Sequence, residues 1–228
     1  MFCEIGVQLG FFGLWFTFTA LGLLSMVILS GSIFYLYYVS PTFEMWQYKS
    51  NPKFPSPLLV KKEIIHMCKG LIVAALCPAF TLAASSHGWS NGYCGMEPKE
   101  DALSLYGQAA LIFFFTDFFE YCYHAIGHAL SFFWQVHRHH HRFYNPSPFA
   151  VIADEYLDQF VRTWPMVILP ALTPINMDLL FAIFVTLFYG YGVYLHWGYE
   201  SKYLSAHNPI FNTAYHHYIH HAISIKNR

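Results

Sequence analysis

The chain of 228 residues is 56% hydrophobic, 20% aromatic and only 11% charged, with a formal net charge of −1. Soluble domains carry about a quarter charged residues, so composition excludes an ordinary soluble globule. The absence of any basic block argues against nucleic acid as a partner.

No charged side chain occurs between Glu4 and Glu44, a run almost twice the ~20 residues that cross a bilayer. It is too long for a signal-peptide core of about 7–15 residues, and no basic flank precedes it. The first span is expected within residues 10–39, where Gly13, Gly22 and Gly31 recur at nine-residue steps that let another helix approach closely. The second runs over about 64–84, with Lys69 near one end able to snorkel. The third starts near Ala102 and runs through Phe115 into a pair of histidines. The fourth apolar region, 164–197, is broken by Pro165, Pro170 and Pro174 and carries Asp178. A helical hairpin that enters the membrane and returns fits it better than one straight helix.

The connecting segments set the orientation. Lys49, Lys53, Lys61 and Lys62 lie between the first two regions, amid Pro52, Pro55 and Pro57, whereas segment 85–101 carries Lys99 as its single basic residue. The positive-inside rule places the lysine loop in the cytosol and 85–101 across the membrane. The third span and the far end of the hairpin then return to the cytosolic side, followed by Arg138 and Arg142 in the one case and the last histidines in the other. The expected fold is all-α: an integral membrane bundle of about four transmembrane helices, the last a broken hairpin, under a cytosolic histidine-rich cap. Residues 1–101 form the anchor, with two spans and the luminal loop, and 102–228 the catalytic region. The five cysteines are scattered without a C-x2-C pair, which argues against a thiolate metal site. Ordinary buried thiols are the preferred reading, with a Cys3–Cys94 disulfide on the luminal face as the alternative.

Twelve of the fourteen histidines fall between positions 124 and 221, in three clusters: His124-Ala-Ile-Gly-His128, His137-Arg-His-His140-His141 and His217-Tyr-Ile-His220-His221. Residues three or four apart share one face of a helix, so each cluster can aim two or three imidazoles at one point. Neutral imidazole is a ligand for iron and zinc, and eight converging rings exceed what one ion accepts. His139 and His216 are left over, an assignment that depends on register because His216 and His220 are also four apart. Asp117 and Glu120 continue the stripe of His124 and His128. They are candidates to hold the second ring nitrogen of a ligand or to bind metal directly; a polar face lining a wet pocket is the other reading. Two readings stay open for His196: an interfacial histidine beside Trp197 and Tyr199, or a ninth ligand with Glu200 as its partner.

With these residues in view, the chain resembles the fatty acid hydroxylase superfamily of membrane-bound oxygenases, and within it the sterol desaturase branch, the sterol C5-desaturases above all. The matching text is His124–His128, then His137-Arg-His-His-His141-Arg-Phe-Tyr-Asn-Pro-Ser-Pro-Phe-Ala150, Tyr194-Leu-His-Trp-Gly-Tyr-Glu200 and His217-Tyr-Ile-His-His221. The resemblance implies a site of two iron ions (zinc as purified is compatible) that uses O2 to oxidise an unactivated C–H of a lipid, a sterol first. It further implies the endoplasmic reticulum membrane, and electrons from NAD(P)H through a reductase and cytochrome b5. Carried over by position, the ligands are His124, His128, His137, His140, His141, His196, His217, His220 and His221. The family's members usually continue past the last cluster with a segment that closes the cap, whereas this sequence stops at Lys226-Asn-Arg228, which leaves completeness of the active site open. Hydroxylation of a fatty acyl, sphingoid or alkyl lipid is the alternative. A metal transporter is disfavoured because the histidines sit at helix ends rather than near the midplane, and a non-catalytic metal-binding scaffold is the remaining remote reading.

Overall fold

The computed structural model describes residues 2–95 and 101–224; Lys99 and the terminal 226–228 lie outside the described residues. Four helical stretches are long and apolar enough to cross a membrane: Cys3–Val39, Pro57–Ser86, Ala102–Ala129 and Met177–His196. The chain is an all-α integral membrane protein, as composition and the apolar runs required.

Helix α1 (Phe2–Phe34) starts earlier than expected and ends in a π-turn, Tyr35–Val39. Gly10, at φ 60°, interrupts it with a conformation that only glycine adopts freely. A short α2 (Phe43–Trp46), capped by Thr42, opens the lysine loop. The second span is two helices, α3 (Pro57–Ala74) and α4 (Leu76–Ser86). Ser56 caps α3 and Pro57 occupies its first turn, a position where a missing N–H costs nothing. Pro78 cannot bond the Ala74 carbonyl, and the helix breaks at Ala75 and restarts. Asp101 caps α5 (Ala102–Ala129) by accepting from the Ser104 amide at 2.8 Å. Extended Leu130 ends α5 and turns the chain into α6 (Ser131–His141).

The fourth region is a hairpin, as its prolines implied. Its first leg is α7 (Tyr156–Arg162) and α8 (Pro165–Leu172). After Pro174 a strand, β2 (Ile175–Asn176), pairs in parallel with β1 (Gly92–Tyr93). Asn176 then caps α9 (Met177–Ile183), which continues through a π-helical stretch, Phe184–Tyr189, into α10 (Gly190–His196). The last helix is α11 (Ala214–Ser224).

Two ends of the bundle are distinct. At one, Cys3 and Cys94 form a disulfide, Asn91 donates to the carbonyls of Pro170 and Ala171, and the Gly95 amide donates to Asp178. The preferred reading of free thiols is thereby corrected for this pair: α1 reaches far enough beyond Gly10 to set Cys3 beside the 85–95 segment. At the other end the lysine loop meets the segment after α10. Lys49 bridges to Tyr199, and the Gly198 carbonyl accepts from the Ser50 amide and from Lys49 Nζ. Gly198 has φ 82°, and a Cβ there would collide with the Tyr38 hydroxyl.

The Asn145-Pro-Ser-Pro148 stretch is held by four groups from the first two spans and the loop between them. Asn145 donates to the Lys53 carbonyl at 2.8 Å, and Tyr38 donates to the Pro146 carbonyl at 3.3 Å. Ser147, fully buried, donates through its amide and hydroxyl to Glu63, and Ser30 donates to the Pro148 carbonyl at 2.8 Å. The 3-10 turn that follows, Pro148–Ile152, packs in the core with Met67, Leu71 and Val193 and delivers residues 154–158 to the histidines.

Candidate metal centre

Four helices bring nine histidines together in two groups. His124 and His128 of α5, His137 and His141 of α6 and His220 of α11 form the first; His140 of α6, His196 of α10 and His217 and His221 of α11 form the second. Within each group one ring nitrogen per residue lies within 4.8 Å of all the others. The H-x2-H-H clusters therefore do not each aim at one point, as their spacing suggested. Each straddles the two groups: the i, i+4 pair of α6 serves the first and its His140 the second, while α11 makes the opposite division. The reason is the angular step of the helix. Residues four apart overlie one another, and the intervening ring one position before is rotated by about a hundred degrees.

Close approach makes this possible. A Cβ on Gly127 would meet the His137 ring at 3.2 Å, so a glycine between His124 and His128 admits α6 against α5. The second group is wholly buried, and in the first His137 and His141 are buried while His124, His128 and His220 are half-buried.

The proton positions follow from the outer nitrogens. His137 Nδ1 lies 3.1 Å from Asp158 Oδ2, His140 Nδ1 contacts Asp154 Oδ1, and His196 Nδ1 lies 2.7 Å from the Gly192 carbonyl. All three partners are acceptors, so each Nδ1 carries the hydrogen and each Nε2 presents a lone pair. Yet His140 and His196 approach Nε2 to Nε2 at 3.3 Å. Two lone pairs at that distance repel unless a cation lies between them. Metal–imidazole bonds of about 2.0–2.1 Å imply nitrogens roughly 3.0 Å apart when adjacent around the ion and roughly 4.2 Å when opposite. The contacts His124–His220 at 2.8 Å, His137–His141 at 3.2 Å, His196–His217 at 3.0 Å and His217–His221 at 3.1 Å match that spacing. The donor set fits transition-metal ions.

Burial reinforces the neutral state. It pushes His141, His217 and His221 well below the ordinary histidine range, aided by the neighbouring rings, and brings His220 down to about 3. For Asp154, burial alone would raise the carboxyl, but the His140 ring and the Arg162 guanidinium outweigh it and hold it below the usual carboxylate range.

The carboxylates expected beside the ligands are elsewhere. Asp117 is exposed and makes no hydrogen bond or ion pair among the described residues. Glu120 turns to Arg162, at 2.7 Å, instead of to a histidine. Glu200 lies beyond the end of α10, where its amide bonds Tyr48, and the Gly192 carbonyl holds His196 in its place. Sequence reasoning missed Asp154 and Asp158. The available signal was the pair of aspartates four apart in a chain with few charges, directly after the Asn-Pro-Ser-Pro stretch. His139 pairs with Glu155 at 3.2 Å, and His207 and His216 meet edge to face, all outside the two groups.

Fold and site together define a class: a membrane-embedded helical bundle that carries at one end a histidine-rich cage able to hold metal ions. The family model for fatty acid hydroxylase matches residues 109–227, and the chain belongs to that family. It is 30% identical over 163 residues to a Delta(7)-sterol 5(6)-desaturase of Gibberella zeae, covering 72% of this chain and 45% of that protein. It is 28% identical over 191 residues to the corresponding protein of Aspergillus fumigatus, covering 82% and 53%, and 28% identical over 200 residues to one from Schizosaccharomyces pombe, covering 84% and 62%. The chain thus spans about half the length of the curated relatives it matches. No solved structure matches it significantly.

Proposed function

We propose that this chain forms the catalytic part of an O2-dependent di-iron oxidoreductase that desaturates a membrane lipid, a sterol first. The observation that carries the reading is the pair of imidazole groups, the second wholly buried, in which bare Nε2 atoms such as those of His140 and His196 approach one another. The sterol desaturases among its relatives supply the substrate class. Two iron ions bound there would supply reduction of O2 and removal of hydrogen from an unactivated C–H bond. The proposed ligands are the nine histidines of the two groups.

The protein's own part is positional. Asp154, Asp158 and the Gly192 carbonyl fix the rings and keep the hydrogen on Nδ1. The buried second group excludes water from one side of the centre. Desaturation removes two hydrogens from adjacent carbons, and two electrons and two protons complete the reduction of O2 to two waters. Those electrons come from NAD(P)H through a reductase and cytochrome b5, and the setting is the endoplasmic reticulum membrane with the histidines facing the cytosol. The lysine loop beside the histidine end supports that orientation, and so does a disulfide at the opposite end, since an oxidising lumen preserves such bonds.

Lipid profiling of cells that express the chain, with and without His140→Ala, tests the reading. A sterol that gains a ring double bond only with the unaltered chain is the expected result. A hydroxylated acyl or sphingoid chain would support the second reading, which the description of the matching family favours. An unchanged profile would remove both.

A further inference from the structure

The first and second groups differ in what stands behind their carboxylates. Asp154, fully buried, contacts His140 Nδ1 through Oδ1. Its Oδ2 receives Arg162 Nη1 at 2.7 Å and the side-chain amide of Gln159. Arg162 in turn places Nε and Nη2 on Glu120 Oε1, at 2.8 and 2.7 Å. Three helices are joined in this way: Glu120 from α5, Arg162 from the end of α7 and His140 from α6.

We propose that Arg162, braced by Glu120, is the positioning residue that sets the second group apart from the first by keeping Asp154 off the metal and on the His140 ring. The inference rests on the metal-centre reading above. The physical grounds are these. A buried carboxylate without a cation is costly, and its cheapest escape beside a metal site is to become a ligand. Arg162 occupies Oδ2 with a charge-assisted bond, which fixes the plane of the carboxylate and leaves Oδ1 for His140. Glu120 in turn holds the guanidinium, which would otherwise be free to swing to solvent. Asp158 serves His137 of the first group, where Arg162 makes no hydrogen bond. Arg162 also feels the charge of Asp158, without a hydrogen bond between them, so its effect should fall mainly on the second group.

Cobalt(II) titration of the full chain in detergent, against a competing chelator, reads this directly. The unaltered chain should show two binding steps, and His196→Ala should identify the step that belongs to the second group. Arg162→Met keeps the unbranched apolar stem of the side chain and removes its charge and its donors. It should weaken the second-group step by about ten-fold, the low end for loss of an outer partner, and leave the first within about two-fold. Arg162→Lys should recover most of that loss, and Glu120→Gln should produce a smaller loss in the same step. In an Asp154→Asn background, Arg162→Met should add little, because it acts through Asp154.

Wild-type binding by Arg162→Met would overturn the inference. So would equal weakening of both steps, a Lys variant no better than Met, or losses that add in the Asp154→Asn background. If Arg162→Met does not fold, the Lys and Glu120→Gln variants decide on the same step. Failure of the unaltered chain to take up any cobalt would instead strike the metal-centre reading itself, and this inference with it.

Discussion

Asp154 and Asp158 each hold one imidazole, and each serves a different group. Replacing either by asparagine should cost roughly 10–100-fold in metal affinity, since the ring loses the charge of its orienting acceptor. Glu200→Gln should leave affinity unchanged, because that side chain lies past the end of α10; metal titration of the three variants decides. Two neighbours in α6 offer a sharper comparison. His140 points into the second group and His139 to Glu155, so His140→Ala should lose metal and His139→Ala should keep it. Equal losses by elemental analysis would mean that α6 is turned relative to the geometry described. At this scale the histidines were legible because their partners lie within one helical turn of them. The aspartates were not, because Asp154 reaches the rings from the irregular stretch before α7 and Asp158 from α7 itself. The same spacing that singled out the rings also misdirected the reading of the doublets, since local periodicity says which residues share a face but not how many targets that face meets.

Among the elements, the hairpin was readable from its prolines, each of which acts through its own backbone. The break at Ala75 is marked by Pro78, which a reading of 64–84 as one span passes over, while the early start of α1 carries no such mark. The bridge between the lysine loop and Gly198 was equally invisible, because it joins residues 149 apart. Its key side chain, Lys49, is buried over the rings of Tyr38 and Tyr199, and that burial brings its ammonium down to about 8 from 10.5. The folded chain thus releases this proton more readily than the unfolded one. Between about pH 8 and 10.5 the unfolded state binds more protons, so stability from this group rises with pH across that window. The thermal midpoint of the unaltered chain relative to Lys49→Met should accordingly climb from pH 8 to 10; a constant difference would deny the burial. At the other end, the Cys3–Cys94 disulfide closes a separation of 91 residues. Its loss in Cys3→Ser should lower the thermal midpoint, with an upper value on the order of 4 kcal/mol from loop entropy. No change in the midpoint would mean that the hairpin end is held by its hydrogen bonds alone.

For the whole molecule, two groups of ligands call for two ions per chain, and elemental analysis of the purified protein should find them. A single ion, or haem absorbance, would defeat the dimetal reading. Topology is tested in a background with Cys68, Cys77 and Cys122 replaced by serine. Trp89→Cys, 77% exposed as tryptophan at the disulfide end, should label from the lumen, and Lys53→Cys, in the lysine loop, from the cytosol. Labelling of both from one side would remove the shared cytosolic site. The apolar exterior also sets how substrate arrives. Each methylene buried is worth about 0.8 kcal/mol, so on the proposed reading a sterol or long tail would leave the bilayer sideways, between α5 and the hairpin, sooner than through water.

The hold of the first two spans on residues 145–148 has a consequence for how such chains can be recombined. Ser30, Tyr38, Glu63 and the Lys53 carbonyl all lie in the half that reads as mere anchor, yet they fix the stretch that carries Asp154 and Asp158 to the rings. The halves are not interchangeable modules. A chimera that joins residues 102–228 to a foreign pair of spans would inherit all nine histidines of the two groups and lose the footing beneath two of them. To graft a new anchor onto this centre, all four contacts must travel together with it.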